Sequence, residues 1–155
     1  MEKIAIQLWK NSNLDAIDFK NFLINEVPRS LKDHISSYQV NLADEDVKEA
    51  AGLIQSCYPP SPNAIIFLKV KNFFHFEQKL SIFESHATNF FSYIVSESKI
   101  IEADDSKNLN RRTDGFSQIV FLEKPKNIDS FDWFDHWTHH HTEIAIETQS
   151  NFIYT

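Results

Sequence analysis

The chain has 155 residues, 42% of them hydrophobic, enough to bury one sizeable core. Its 15 basic and 22 acidic residues leave a net charge of -7, and no run of Lys or Arg gathers positive charge as a phosphate-tracking surface does, so nucleic acid is not an expected partner. Two glycines, Gly52 and Gly115, are too few for a phosphate-cradling loop or a dinucleotide fingerprint, which excludes kinase, ATPase and classical dehydrogenase chemistry.

The opening "MEKIAIQLWK" holds an apolar stretch too short and too evenly interrupted for a signal peptide, and no later stretch approaches a membrane span. A cytoplasmic protein with no membrane partner is expected. Within that opening, "KIAIQLWK" alternates as a strand. Ser12 or Asn13 then caps a helix whose apolar period runs to about Leu31, with Pro28 kinking or shortening it. "SSYQVNL" reads as a second strand, and "DEDVKEAAGLIQ" as a polar, partly helical excursion ending at the turn-rich "CYPPSPN". Cys57 is the single cysteine, so no internal disulfide forms, and it reads as a passive, partly buried side chain. "AIIFLKV" is a buried strand. "FFHFEQKLSIFESHA" sets Phe73, Phe76, Leu80, Phe83 and Ala87 on one helical face, and "FFSYIVSESKII" returns as a strand. The order βαββαβ predicts an α+β, ferredoxin-like fold: four antiparallel strands, two helices on one sheet face, and the other face open.

An internal repeat sets the larger organisation. "LWKNSNLDAIDF" from Leu8 lies over "LEKPKNIDSFDW" from Leu122 without a gap, an offset of 114 residues. Leu8, Lys10, Asn13, Asp15 and Asp18 recur as Leu122, Lys124, Asn127, Asp129 and Asp132. The same offset sets Tyr38 and Val40 against Phe152 and Tyr154. This predicts a first copy over 1–103, a polar linker over 104–115, and a second copy over 116–155 that supplies a strand, a helix and the opening of another strand. A repeat stopping there implies either the N-terminal part of a longer protein, the favoured expectation, or chains that complete one another; an open sheet face favours self-association.

"DHWTHHHTEIA", residues 135–145, places four of the seven histidines on the second copy's helix, expected from about Ser130 to Thr148. At about 100° per residue, Trp133, Trp137, His141, Ile144 and Thr148 share one stripe, with Phe134 and Ala145 close to it. Asp132, Asp135, His136, His139 and Glu143 point the other way, and His140 lies on the border. His136 and His140, with Glu143 beyond them, have the spacing of a zinc-binding face, but there is no "HExxH" pattern and no second ligand cluster, so no metal is expected. His141 differs: among two tryptophans and an isoleucine an imidazole is costly to leave without a partner. A neutral imidazole in an aromatic-walled cavity takes and returns protons; a core histidine satisfied by a carbonyl or by Tyr154 is the plainer alternative.

"FDWFDHWTHHHTEIAIETQSNFIY" resembles the signature of the EthD family, a Trp-x-x-x-His helix followed by an aromatic residue in the next strand; Trp137, His141 and Tyr154 are the matching positions. More loosely, the resemblance extends over the repeat from Lys3. Where family members commonly follow the histidine with Ala-Pro, this chain has Thr142 and Glu143; the first copy has Val27 in the place of His141, followed by Pro28, and so keeps the proline and lacks the imidazole. The resemblance implies a dimeric α/β barrel, two ferredoxin-like units enclosing an apolar cavity. It further implies a cofactor-independent dehydratase, decarboxylase or isomerase acting on a small hydrophobic or polyketide-like compound. In that reading His141 and Tyr154 are catalytic, and Trp133, Trp137, Tyr38 and Phe152 contact the substrate. The contrasting expectation is a non-catalytic binding or assembly module whose histidine packs in the core.

Overall fold

The computed structural model describes residues 1–56, 58–101 and 111–149. The chain divides into two compact units, Met1–Glu97 and Ser98–Thr155.

In the first unit, strand β1 (Glu2–Lys10) lies at the centre of an antiparallel sheet with β2 (Ile35–Leu42), β3 (Ala64–Val70) and β4 (Ala87–Val95). The order β2-β3-β1-β4 is compatible with a ferredoxin-like fold and makes this unit α+β. Register follows the apolar alternation. Ile4, Ile6 and Leu8 sit opposite Leu68, Ile66 and Ala64, and all six are buried on the face that carries the helices. Two helices cover that face. Helix α1 spans 16–31 and presents Phe19, Phe22, Leu23, Val27 and Leu31; helix α2 spans 73–83 and presents Phe76, Leu80 and Phe83. Fully burying side chains of this size is worth about 1.5–3 kcal/mol each, so this layer dominates the unit's stability.

Helix α1 departs from the sequence reading in two ways. Its cap is Asp15, whose Oδ1 accepts the Ile17 N–H at 2.7 Å, rather than Ser12 or Asn13. The preceding residues form a turn in which the Asn11 side chain accepts from the Asn13 N–H, so Asp15 is the last residue free to cap. Nor does Pro28 end the helix. The α-helical Ala16–Asn21 passes into a π-helical turn, Phe22–Glu26, and then into α-helical Val27–Leu31. In that turn the Val27 N–H reaches back to the Phe22 carbonyl. The next donor would serve the Leu23 carbonyl, but Pro28 has none. Tyr38 Oη on β2 donates to that carbonyl instead, at 2.7 Å.

Helix α2 is one α-turn, Phe73–Phe76, capped by the Asn72 side chain, followed by a 3-10 segment, Glu77–Phe83. The expected face holds for Phe76, Leu80 and Phe83, whereas Ala87 is the first residue of β4. The excursion after β2 is a 3-10 helix, Glu45–Leu53, with no buried residue.

In the second unit, residues 116–124 do not form the expected strand; Phe116, Val120, Phe121 and Leu122 are about half exposed or more. Alternation gives a strand its faces but not its ladder. Among the described residues of this unit, helix α3 spans 130–148 as α-helical Ser130–Asp135, π-helical His136–His141 and α-helical Thr142–Thr148. Among the described residues no helix is long and apolar enough to cross a membrane.

Candidate functional site

Helix α3 repeats the construction of α1 at the 114-residue offset. Asp129 Oδ1 accepts the Phe131 N–H at 2.7 Å, as Asp15 accepts that of Ile17. Lys124 Nζ donates to the Ile128 carbonyl, as Lys10 Nζ does to that of Leu14. The π-turns coincide as well, Phe22–Glu26 falling over the first five residues of His136–His141. The carbonyl matching that of Leu23 belongs to Trp137. It accepts from Thr142 Oγ1 at 2.9 Å, and Thr142 stands where α1 has Pro28.

The π-turn resets the helix face. A π-turn closes i to i+5, so more residues fit in each turn and a stripe continues by fours instead of drifting at 100° per residue. In α1 this yields Phe19, Leu23, Val27 and Leu31, all buried. In α3 it yields Trp133, Trp137 and His141, each half-buried, and Ala145, which is buried. Ile144 and Thr148, expected on the stripe, are exposed, as is Phe134; the added residue in the turn shifts their phase.

Along this stripe the rings touch in sequence. Trp133 and Trp137 meet edge-on with centroids 5.5 Å apart, and the His141 imidazole lies 4.0 Å from the Trp137 ring. Trp137 Nε1 is shielded from solvent and has no hydrogen-bond partner among the described residues. On the other side His136 and His140 stack at 6.0 Å, and His139 Nδ1 lies 3.0 Å from Asp135 Oδ1. Among the described residues no three His, Cys, Asp or Glu side chains converge into a group that could hold a metal ion.

Of the residues singled out in the sequence, Trp133, Trp137 and His141 are thus brought together. Tyr38 belongs to the first unit, where its hydroxyl is committed to the Leu23 carbonyl and burial holds its ionisation above the usual phenol range. Phe152 and Tyr154 lie outside the described residues.

The sheet supplies a feature that the sequence reading did not single out. Opposite the helices, alternation places Ala5, Gln7, Trp9, Phe67, Phe91 and Tyr93 on one face. Ala5 and Gln7 are buried, while Phe91 and Tyr93 are nearly half exposed. Trp9 meets Phe91 edge-on at 5.7 Å and donates through Nε1 to the Pro60 carbonyl at 2.7 Å. At the end of this face Lys3 lies over the Phe67 ring and pairs with Glu97, which Lys69 approaches at 3.3 Å. The Lys3 hydrogen bond, opposed in part by burial and assisted by Lys69, holds the Glu97 carboxyl below the usual carboxylate range. Period-two spacing of aromatics in "NFFSYIV" was the available signal for this face. The open clefts at the sheet's ends, one beside Glu97 and one beside His75, are not lined by Trp133, Trp137 or His141.

No family model matches this chain, and comparison with curated proteins finds no significant relative.

Proposed function

We propose that the chain is an EthD-like protein of the dimeric α/β barrel kind, whose helix α3 belongs to a second copy of the unit built around α1. In this reading the α3 stripe lines an aromatic chamber for a small hydrophobic or polyketide-like compound. His141 transfers a proton there, in a dehydration, decarboxylation or isomerisation that requires no cofactor.

The matching caps, lysine contacts and π-turns of α1 and α3 support the duplication. One observation carries the functional reading. Where α1 buries the aliphatic side chains of Leu23 and Val27, α3 has an indole and an imidazole in contact at 4.0 Å. Aliphatic pairs only pack, whereas an imidazole both donates and accepts protons, and an aromatic wall lowers the local polarity. The self-association expected of such a protein falls to the sheet face opposite the helices, which carries Phe91 and Tyr93.

The test is hydrogen–deuterium exchange at carbon next to the carbonyl in a panel of aromatic ketones, followed by NMR in heavy water. A positioned acid or base accelerates such a step by about a hundredfold to ten-thousandfold, so His141→Gln should remove acceleration of that order. Undiminished exchange by a folded His141→Gln protein defeats the proposal. A second reading, a binding or assembly module, has its own support: Phe131, Phe134 and Ile144 of α3 are 76%, 69% and 57% exposed, more apolar surface than one helix ordinarily shows to water. It predicts a change in stability on His141→Gln with no exchange activity to lose.

A further inference from the structure

We infer that the Trp137 indole N–H selects the ligand of this site, which is a neutral planar compound carrying a carbonyl oxygen, an aromatic ketone or aldehyde. The inference rests on the proposed chamber and adds its recognition chemistry.

Trp137 Nε1 is a buried side-chain donor with no partner among the described residues. Elsewhere the chain satisfies this group: Trp9 Nε1 donates to the Pro60 carbonyl at 2.7 Å. The backbone of Trp137 is also served, since Thr142 Oγ1 donates to its carbonyl. The orphan is therefore the indole edge alone. A shielded, unpaired donor costs about 1–3 kcal/mol, and an acceptor that enters recovers that cost while a hydrocarbon does not. The ring as a whole is half-buried, so its edge is covered while part of its surface stays open.

Two further features narrow the acceptor. The Trp133 and His141 rings flank the indole at 5.5 and 4.0 Å, which favours a flat, π-faced ligand. Helix α3 carries neither Lys nor Arg, its basic side chains being histidines alone, so a carboxylate or phosphate would find no permanent positive charge on it. A neutral carbonyl answers the N–H without needing such a charge. With its oxygen on the indole, it also lies beside the imidazole.

The experiment compares 2-acetylnaphthalene with 2-ethylnaphthalene, nearly equal in shape and differing in the acceptor. Dissociation constants for both are measured on the full chain and on Trp137→Phe. The lost ring volume affects both ligands, so the readout is their affinity ratio. It should fall about tenfold in the variant, the loss of one hydrogen bond in a shielded site. A ratio unchanged by the substitution overturns the inference and leaves the chamber standing. Failure of both compounds to bind the unaltered chain overturns the chamber itself. Should Trp137→Phe not fold, the indole N–H resonance of Trp137 in the unaltered chain decides: it should move downfield with the ketone and not with the hydrocarbon, with the bonded Trp9 N–H as internal reference. Equal response to the two compounds counts against the carbonyl.

Discussion

Tyr38 illustrates how one hydroxyl resolves a conflict within a helix. A proline after a π-turn leaves the Leu23 carbonyl with no backbone donor, and the phenol from β2 supplies one at 2.7 Å. Tyr38→Phe keeps the ring and removes only this bond, so it should cost about 1 kcal/mol, read as a lower urea midpoint at unchanged slope. An unaltered midpoint would mean that water serves the carbonyl equally well. Glu97 gives a prediction of opposite chemistry. Its folded-state pKa is lowered, chiefly by Lys3, so its contribution to stability is present above the unfolded carboxylate pKa and is lost as pH falls through the folded value. Because such pairs near water are screened, the contribution is about 0.5–1 kcal/mol. Glu97→Gln should therefore be less stable than the unaltered chain at neutral pH, and the two denaturation curves should converge on acidification below the ordinary carboxylate range. A constant gap at all pH values would assign the effect to packing instead.

At the scale of elements, what could be read in advance depended on whether a local pattern had one physical solution. The strands of the first unit were legible because "KIAIQLWK" and "AIIFLKV" bury one face in strict alternation, and only one register keeps Ile4, Ile6 and Leu8 opposite Leu68, Ile66 and Ala64. The π-turns were not legible. Nothing in the 3.6-residue period signals an inserted residue, and the phase error it causes misplaced Ile144 and Thr148 while leaving Trp133, Trp137 and His141 in line. Pro28 marked where α1 would be disturbed, but how the disturbance is absorbed required a tertiary partner, Tyr38. Residues 116–124 show the converse limit: their apolar content resembles that of a strand, yet pairing is not a local property. The candidate site was legible in composition, two tryptophans and a histidine at intervals of four. Its decisive feature, a Trp137 N–H with no partner among the described residues, is an absence, which sequence does not display.

At the scale of the molecule, the first unit packs two helices on one face of its sheet and leaves the other aromatic. That face combines Trp9, Phe67, Phe91 and Tyr93 around a centre where Ala5 and Gln7 are already buried. Isolated apolar side chains on a surface need no explanation, but aromatics sharing one sheet face form a contiguous patch, and covering it with a second copy removes that area from water at about 25 cal/mol per Å². The net charge of -7 opposes close approach of two copies, so association should strengthen as salt screens that repulsion. Sedimentation velocity should accordingly show a mean coefficient that rises with protein concentration, and rises further with added salt. The double variant Phe91→Lys, Tyr93→Lys should sediment as a monomer throughout, because two desolvated ammonium groups would have to enter the apolar contact. Both side chains are nearly half exposed in the unit, so its melting temperature should change little, which separates loss of association from loss of fold. A concentration-independent monomer for the unaltered chain at high salt would leave the aromatic face without a protein partner and remove self-association from the proposal.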